Sequence, residues 1–179
     1  MIRQSTKIFF LSVIILSCNL FSDEVHLNEG QLAPDFTLLD QNGAPHTLSL
    51  YKGKKVVIYF YPKDDTPGCT IETNDFNKLL SKFKKLGCDV YGISKDSVKS
   101  HNKFRDKYRI KFDLLADEKL TVIKKYKVWG KKNFMGRQFM GILRTTFLID
   151  KKGKIIKIWE NVKVKDHAKE VLKTLKNLS

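Results

Sequence analysis

The chain has 179 residues, 42% of them hydrophobic, with 34 lysines and arginines against 19 acids, a net charge of +15 at pH 7 and three cysteines. That length is enough for one sizeable core, and no internal repeat, low-complexity block or linker divides it. Three thiols are too few for a disulfide-built scaffold, and the basic charge comes without a recognised nucleic-acid module, so no nucleic-acid partner is expected.

Residues 1–22 read as an export signal. Arg3 and Lys7 precede an apolar run over 8–16, and no acid occurs before Asp23. Such a run suits a secretory signal and is short for a membrane span. The stretch Ile15-Leu16-Ser17-Cys18 resembles a loose bacterial lipobox, in which Cys18 would be lipidated and anchor the mature chain to a membrane. Cleavage after Ser22 is the competing reading. Residues 23–179 are then expected to form a single domain, exported to the periplasm or membrane-anchored, with an organellar or cytoplasmic location as the alternative.

Strands are expected near Phe36 and Leu48. Val56, Val57, Ile58, Tyr59 and Phe60 form a short β-branched and aromatic run, which predicts an interior strand over 56–61. Pro62, Pro67 and Gly68 break it. From Thr70 onward, Ile71, Phe76, Leu79, Leu80 and Phe83 recur at helical spacing, predicting a helix over 70–85. Cys69 therefore falls at a helix start, where free backbone N–H groups and the positive end of the dipole stabilise an anion. The thiolate is the nucleophilic form of cysteine. A free thiol is only about 3% ionised at pH 7, and shifting it to mostly thiolate takes about 3.4 kcal/mol. A helix terminus supplies up to ~2 kcal/mol, so a second cationic group is expected beside Cys69.

Further along, a strand is expected over 90–94, helices over 98–108 and 120–126, a short strand near Leu114, a hairpin over 145–159 around the turn Asp150-Lys151-Lys152-Gly153, and a helix over 165–178. Alternating strands and helices followed by a hairpin suit an α/β fold, a central mixed sheet flanked by helices. The lysines of these helices mostly occupy polar positions, as solvated faces do. His26, His46, His101 and His167 are too scattered to suggest a metal cluster and read as surface residues, and Asp64 and Asp65 read as solvated loop carboxylates.

The spacing Pro62-x-x-x-Thr66-x-x-Cys69 resembles the peroxidatic motif of the peroxiredoxins, and TPGCT preceded by FYPKDD resembles their bacterioferritin-comigratory, Q-type branch. Residues 33–38, 91–94, 141–150 and 163–172 match that branch in the same order, so the resemblance covers roughly 27–177. It implies a thioredoxin-like fold and a thiol peroxidase of antioxidant defence, reducing hydrogen peroxide or organic hydroperoxides with no metal or organic cofactor. Cys69 would attack the peroxide O–O bond and become a sulfenic acid. Thr66 would hydrogen-bond the thiolate and the incoming oxygen, and its place near a helix start also suits a cap. Arg144 would be the missing cation, and Pro62 would shape the pocket.

The chain departs from the pattern at one position. Many Q-type members carry a second cysteine five residues after the first, where this chain has Asn74. Cys88 follows the predicted helix, about 24 Å long at 1.5 Å per residue, whereas a disulfide needs Cα atoms within about 7 Å. Cys88 is therefore read as structural. The expected mechanism uses one cysteine, with a thioredoxin-like protein or a small thiol as reductant and a monomer or homodimer as the working unit. Two other readings are a thiol–disulfide oxidoreductase and a non-catalytic basic surface protein. The first needs Cys-x-x-Cys, and Thr66 stands in the place of its first cysteine. The second leaves the joint presence of Pro62, Thr66, Cys69 and Arg144 without a reason.

Overall fold

The computed structural model describes residues 26–134 and 136–178. The expected signal and Cys18 lie outside the described residues, and no described helix is long and apolar enough to cross a membrane. In chain order come β1 (Thr37–Asp40), β2 (Pro45–Thr47), a 3-10 turn at Leu48–Tyr51, β3 (Lys55–Phe60), α1 (Pro67–Lys85), β4 (Cys88–Ser94), α2 (Val98–Tyr108) and β5 (Asp113–Ala116). They are followed by α3 (Thr121–Lys125), β6 (Trp129–Phe134), β7 (Arg137–Ile142), β8 (Thr145–Ile149), β9 (Ile155–Trp159) and α4 (His167–Asn177).

Seven strands form one sheet in the order β2-β1-β5-β4-β3-β8-β9. The pairs β3–β4 and β4–β5 are parallel, and β1–β2, β1–β5, β3–β8 and β8–β9 are antiparallel. This is the mixed sheet of the thioredoxin-like fold. Its interior strand β3 is apolar from Val56 to Phe60 because both faces are covered. Val57 and Tyr59 pack with Phe76 and Phe83 of α1 and Val171 and Leu175 of α4, while Val56, Ile58 and Phe60 pack with Ile123 and Tyr126 on the other side.

One glycine lets this sheet hold the start of α1. A Cβ at Gly92 would lie 2.7 Å from the Tyr59 ring and 2.9 Å from Leu114. The bare backbone lets the Tyr59 ring lie across β4, where its hydroxyl meets Thr73 Oγ1 of α1 at 2.9 Å.

The parallel register sets Lys55 beside Cys88 at the start of β3, whereas Cys69 follows its other end. Five residue steps already separate these levels by about 16 Å, beyond disulfide reach. Both thiols are free and buried, and burial pushes the Cys88 thiol up to about 12. Cys88 is thus a core residue with little thiolate to offer.

Three expectations are corrected. The hairpin β6–β7 had no counterpart in the sequence reading, since Gly130-Lys131-Lys132-Asn133 shows no apolar alternation. His101 and His167 are buried, not at the surface, and His46 is largely covered. Asp64 is buried too, while Asp65 is exposed as expected.

His167 opens α4, its Nε2 2.8 Å from Thr146 Oγ1 and its ring edge-on to Phe76 and Trp159. Burial, helped by Arg144, lowers its pKa to about 4. The folded protein therefore keeps His167 neutral while the unfolded chain takes up a proton near pH 6.5, so its contribution is full above about pH 6.5 and is lost as the pH falls towards 4. Between pH 7 and pH 5 this loss amounts to about 2 kcal/mol. Urea unfolding of His167→Gln, compared with wild type at both pH values, should show that much less acid destabilisation. An unchanged difference between the two pH values would remove His167 from the pH response.

Candidate active site

The site begins where β3 ends. The Tyr61 amide still donates to Ile93 O at 3.1 Å, extending the sheet, and the chain then turns through half-buried Pro62. Asp65 takes a left-handed conformation (φ 55°), one an aspartate tolerates better than most residues. Thr66 is the extended residue before α1, and Pro67 fills its first position, where a missing N–H costs nothing. The first helical hydrogen bond runs from Thr70 N to Thr66 O at 2.8 Å. The amides of Gly68 and Cys69 precede that ladder, so Cys69 occupies the first turn as expected.

Arg144, just before β8, reaches the sulfur. Its Nη2 donates to Cys69 Sγ at 3.3 Å, and its Nη1 donates to Glu72 Oε2. Cys69 and Glu72 are three residues apart and share one face of α1, so one planar guanidinium engages both. Gly68 lies directly beside the guanidinium, where a Cβ would make an ordinary 3.5 Å contact with Nη2. Burial alone would discourage charge on Arg144, but Glu72 and Cys69 outweigh it and raise its pKa. Burial pushes the Glu72 carboxyl up to about 7 against the pull of Arg144. Its second oxygen, Oε1, is buried without a partner.

Thr66 is the N-cap by position but makes no side-chain cap. Its hydroxyl donates to Lys63 O at 3.0 Å, rather than to Cys69. With its proton given to Lys63, Oγ1 keeps its lone pairs to accept a further hydrogen bond. The structure therefore brings Cys69 and Arg144 into contact, sets Thr66 one turn before the sulfur in sequence, and keeps Pro62 on the connecting loop.

The sequence reading missed two supports of this site. Glu72 was visible only as an acid at helical spacing from Cys69. Lys132 of β6 reaches Ile142 O at 3.1 Å, its stem passing 3.0 Å from where a Cβ of Gly141 would sit. Burial lowers its pKa, with Arg144 acting the same way and Cys69 opposing, which places its charge within reach of the site. No periodicity in β6 signals it.

The loop itself is anchored to α2. Buried Asp64 accepts from Tyr61 Oη at 2.7 Å, Ser100 Oγ at 2.8 Å and His101 Nδ1 at 2.9 Å, and its amide donates to Asp96 at 2.8 Å. Asp65 accepts from Lys107 Nζ at 2.6 Å and Tyr108 Oη at 2.6 Å. Adjacent carboxylates thus hold the loop on both sides, while the Cys69 sulfur meets the Arg144 guanidinium.

Comparison with known proteins gives a consistent picture. The profile of the AhpC/TSA family matches residues 30–158. Peroxiredoxin Bcp of Bacillus subtilis (strain 168) is 48% identical over 150 residues, 84% of this chain and 96% of that protein. Peroxiredoxin Bcp of Escherichia coli (strain K12) is 41% identical over the same length and coverage. Among solved structures, the bacterioferritin comigratory protein of Xanthomonas campestris, studied for its alkyl peroxide reduction activity, superposes with a TM-score of 0.76 at 43% identity, covering 80% of this chain and 91% of its own. Peroxidoxin BcpB of Mycobacterium tuberculosis gives 0.77 at 35% identity, covering 86% and 99%.

Proposed function

The chain belongs to the AhpC/TSA family as a peroxiredoxin of the Bcp type, and we propose that within it Cys69 completes the peroxide step alone, leaving resolution to an external thiol. It is a thiol peroxidase, with a peroxide as substrate and a thiol as reductant. The observation that carries the one-cysteine reading is the placing of the two thiols at opposite ends of β3, with Asn74 where many Q-type members have their second cysteine.

The Cys69 thiolate attacks one peroxide oxygen, an S–O bond forms and the O–O bond breaks. The bonding pair leaves on the second oxygen, which takes a proton to depart as water or an alcohol. Arg144 Nη2, 3.3 Å from the sulfur, favours the thiolate and then the negative charge that develops on the departing oxygen. Glu72 fixes the guanidinium plane, Thr66 accepts the peroxide O–H, Pro62 walls the loop, and Lys132 adds positive charge. A first reductant thiol then displaces water from the sulfenic acid to give a mixed disulfide, and a second thiol releases Cys69 as thiolate.

Export is part of the same reading, supported by the basic and apolar order of residues 1–22 and by Cys18 in a lipobox-like setting. Outside the cytoplasm the reducing equivalents would have to cross a membrane, since cytosolic thiol systems do not act there. Steady-state turnover tests the one-cysteine cycle. With a small thiol as reductant, Cys88→Ser should turn over hydrogen peroxide at the wild-type rate, and loss of turnover in that variant would show that Cys88 resolves the sulfenic acid.

A further inference from the structure

A second cluster of ligating side chains sits at the β2 side of the sheet, separated from β3 by strand β4. Asp40 ends β1, His46 is the middle residue of β2, and Asp113 opens β5. Each offers one donor atom, and the three atoms lie within 4.8 Å of one another.

We propose that Asp40, His46 and Asp113 bind a divalent transition-metal ion of the Zn2+ class, with solvent completing the shell. The spacing of the donors carries this. His46 Nε2 lies 3.3 Å from Asp40 Oδ2 and 4.0 Å from Asp113 Oδ2. Charge-assisted N–H···O bonds are about 2.7–2.9 Å, so neither is a well-made ion pair. Two ligands on a tetrahedral ion at about 2.0–2.1 Å stand about 3.3–3.5 Å apart, a spacing Asp40 already has from His46, while Asp113, on the more exposed side, stands farther out and would move inward onto the ion. The other contacts of Asp40 Oδ2, from the side-chain amides of Gln41 and Asn42, are equally long at 3.4 Å.

The remaining atoms of the three side chains are each fixed by an outer partner, as ligand shells require. His46 Nδ1 bonds the Tyr51 hydroxyl. Asp40 Oδ1 accepts the amides of Asn42 at 2.7 Å and Ala44 at 2.9 Å, and Asp113 Oδ1 accepts from Gln41 Nε2 at 2.9 Å. Burial pushes the Asp40 carboxyl up, but these amides and His46 outweigh it, so Asp40 is anionic at neutral pH. Two carboxylates balance a 2+ charge, and an imidazole with two carboxylate oxygens suits zinc-like ions. Asp40 is buried while the Asp113 side chain is about one-third exposed, which leaves an open side for water. A bound ion would tie the β1–β2 hairpin to β5.

The test is calorimetric titration of the purified full chain with ZnCl2, with Co2+ absorption as a second readout of geometry. Wild type, Cys69→Ser and Cys88→Ser should bind one ion per chain alike, and Co2+ should give the visible bands of a low-coordinate nitrogen–oxygen site. Tyr51→Phe should weaken binding about 10-fold. His46→Gln and Asp113→Asn should each weaken it by about 100-fold or more, since even outer partners are worth about 10–100-fold. Both should keep wild-type peroxidase activity, which shows that they fold. Absence of Zn2+ binding, binding unchanged in His46→Gln and Asp113→Asn, or binding lost in Cys69→Ser would each overturn the proposal.

Discussion

Arg144→Ala is expected to slow the oxidation of Cys69 by hydrogen peroxide about 100–1,000-fold, the usual effect of removing one preorganised donor to a developing oxyanion. Nη2 of Arg144 donates to Sγ at 3.3 Å and so acts on both the nucleophile and the departing oxygen. The fold should survive the loss. Glu72 already has a carboxyl pushed up to about 7, so without its cation it takes a proton and sheds the buried charge. Arg144→Lys should recover little, because an ammonium cannot span Sγ and Glu72 with one rigid fork. Stopped-flow oxidation of the three proteins reads the effect. Equal rates in wild type and Arg144→Ala would take Arg144 out of the chemistry.

Asp64→Ala should cost about 2 kcal/mol or more in denaturant unfolding, because buried Tyr61 and His101 and half-buried Ser100 share this one acceptor. Only the long 3.4 Å Tyr61–His101 contact would remain between them, and a buried unsatisfied group costs about 1–3 kcal/mol. The same variant should slow peroxide attack, since the freed loop carries Pro62 and Thr66. Asp64→Asn, which keeps an acceptor, should fall between the two. Unfolding of Asp64→Ala at the wild-type midpoint would mean that the loop is held by something other than this network.

Much of the fold was legible because its middle is covered on both faces. The apolar run at 56–60 and the helical spacing after Thr70 report burial directly, and the strand, the break and the helix start that present Cys69 follow from them. Arg144 was placed only by resemblance to peroxiredoxins, since nothing local joins residue 144 to residue 69. Asp64 was misread for a related reason. Its neighbours Lys63 and Asp65 are exposed, and its burial is decided by Ser100 and His101 on α2, about forty positions away. The hairpin β6–β7 escaped because it pairs only with itself and stands outside the main sheet, so its residues carry little of the alternation that a covered strand imposes. Lys132, which rides on it, was hidden with it.

The central claim is that Cys69 is the thiol that reacts with peroxide, and that it does so alone. Stopped-flow oxidation of the full-length protein by hydrogen peroxide, followed by trapping and intact mass analysis, tests it directly. Wild type and Cys88→Ser should lose one thiol rapidly, gain a single oxygen at Cys69 and yield a trapped sulfenic acid, while Cys69→Ser should be inert. Rapid oxidation that persists in Cys69→Ser, or a Cys69–Cys88 disulfide as the first stable product, would contradict the account.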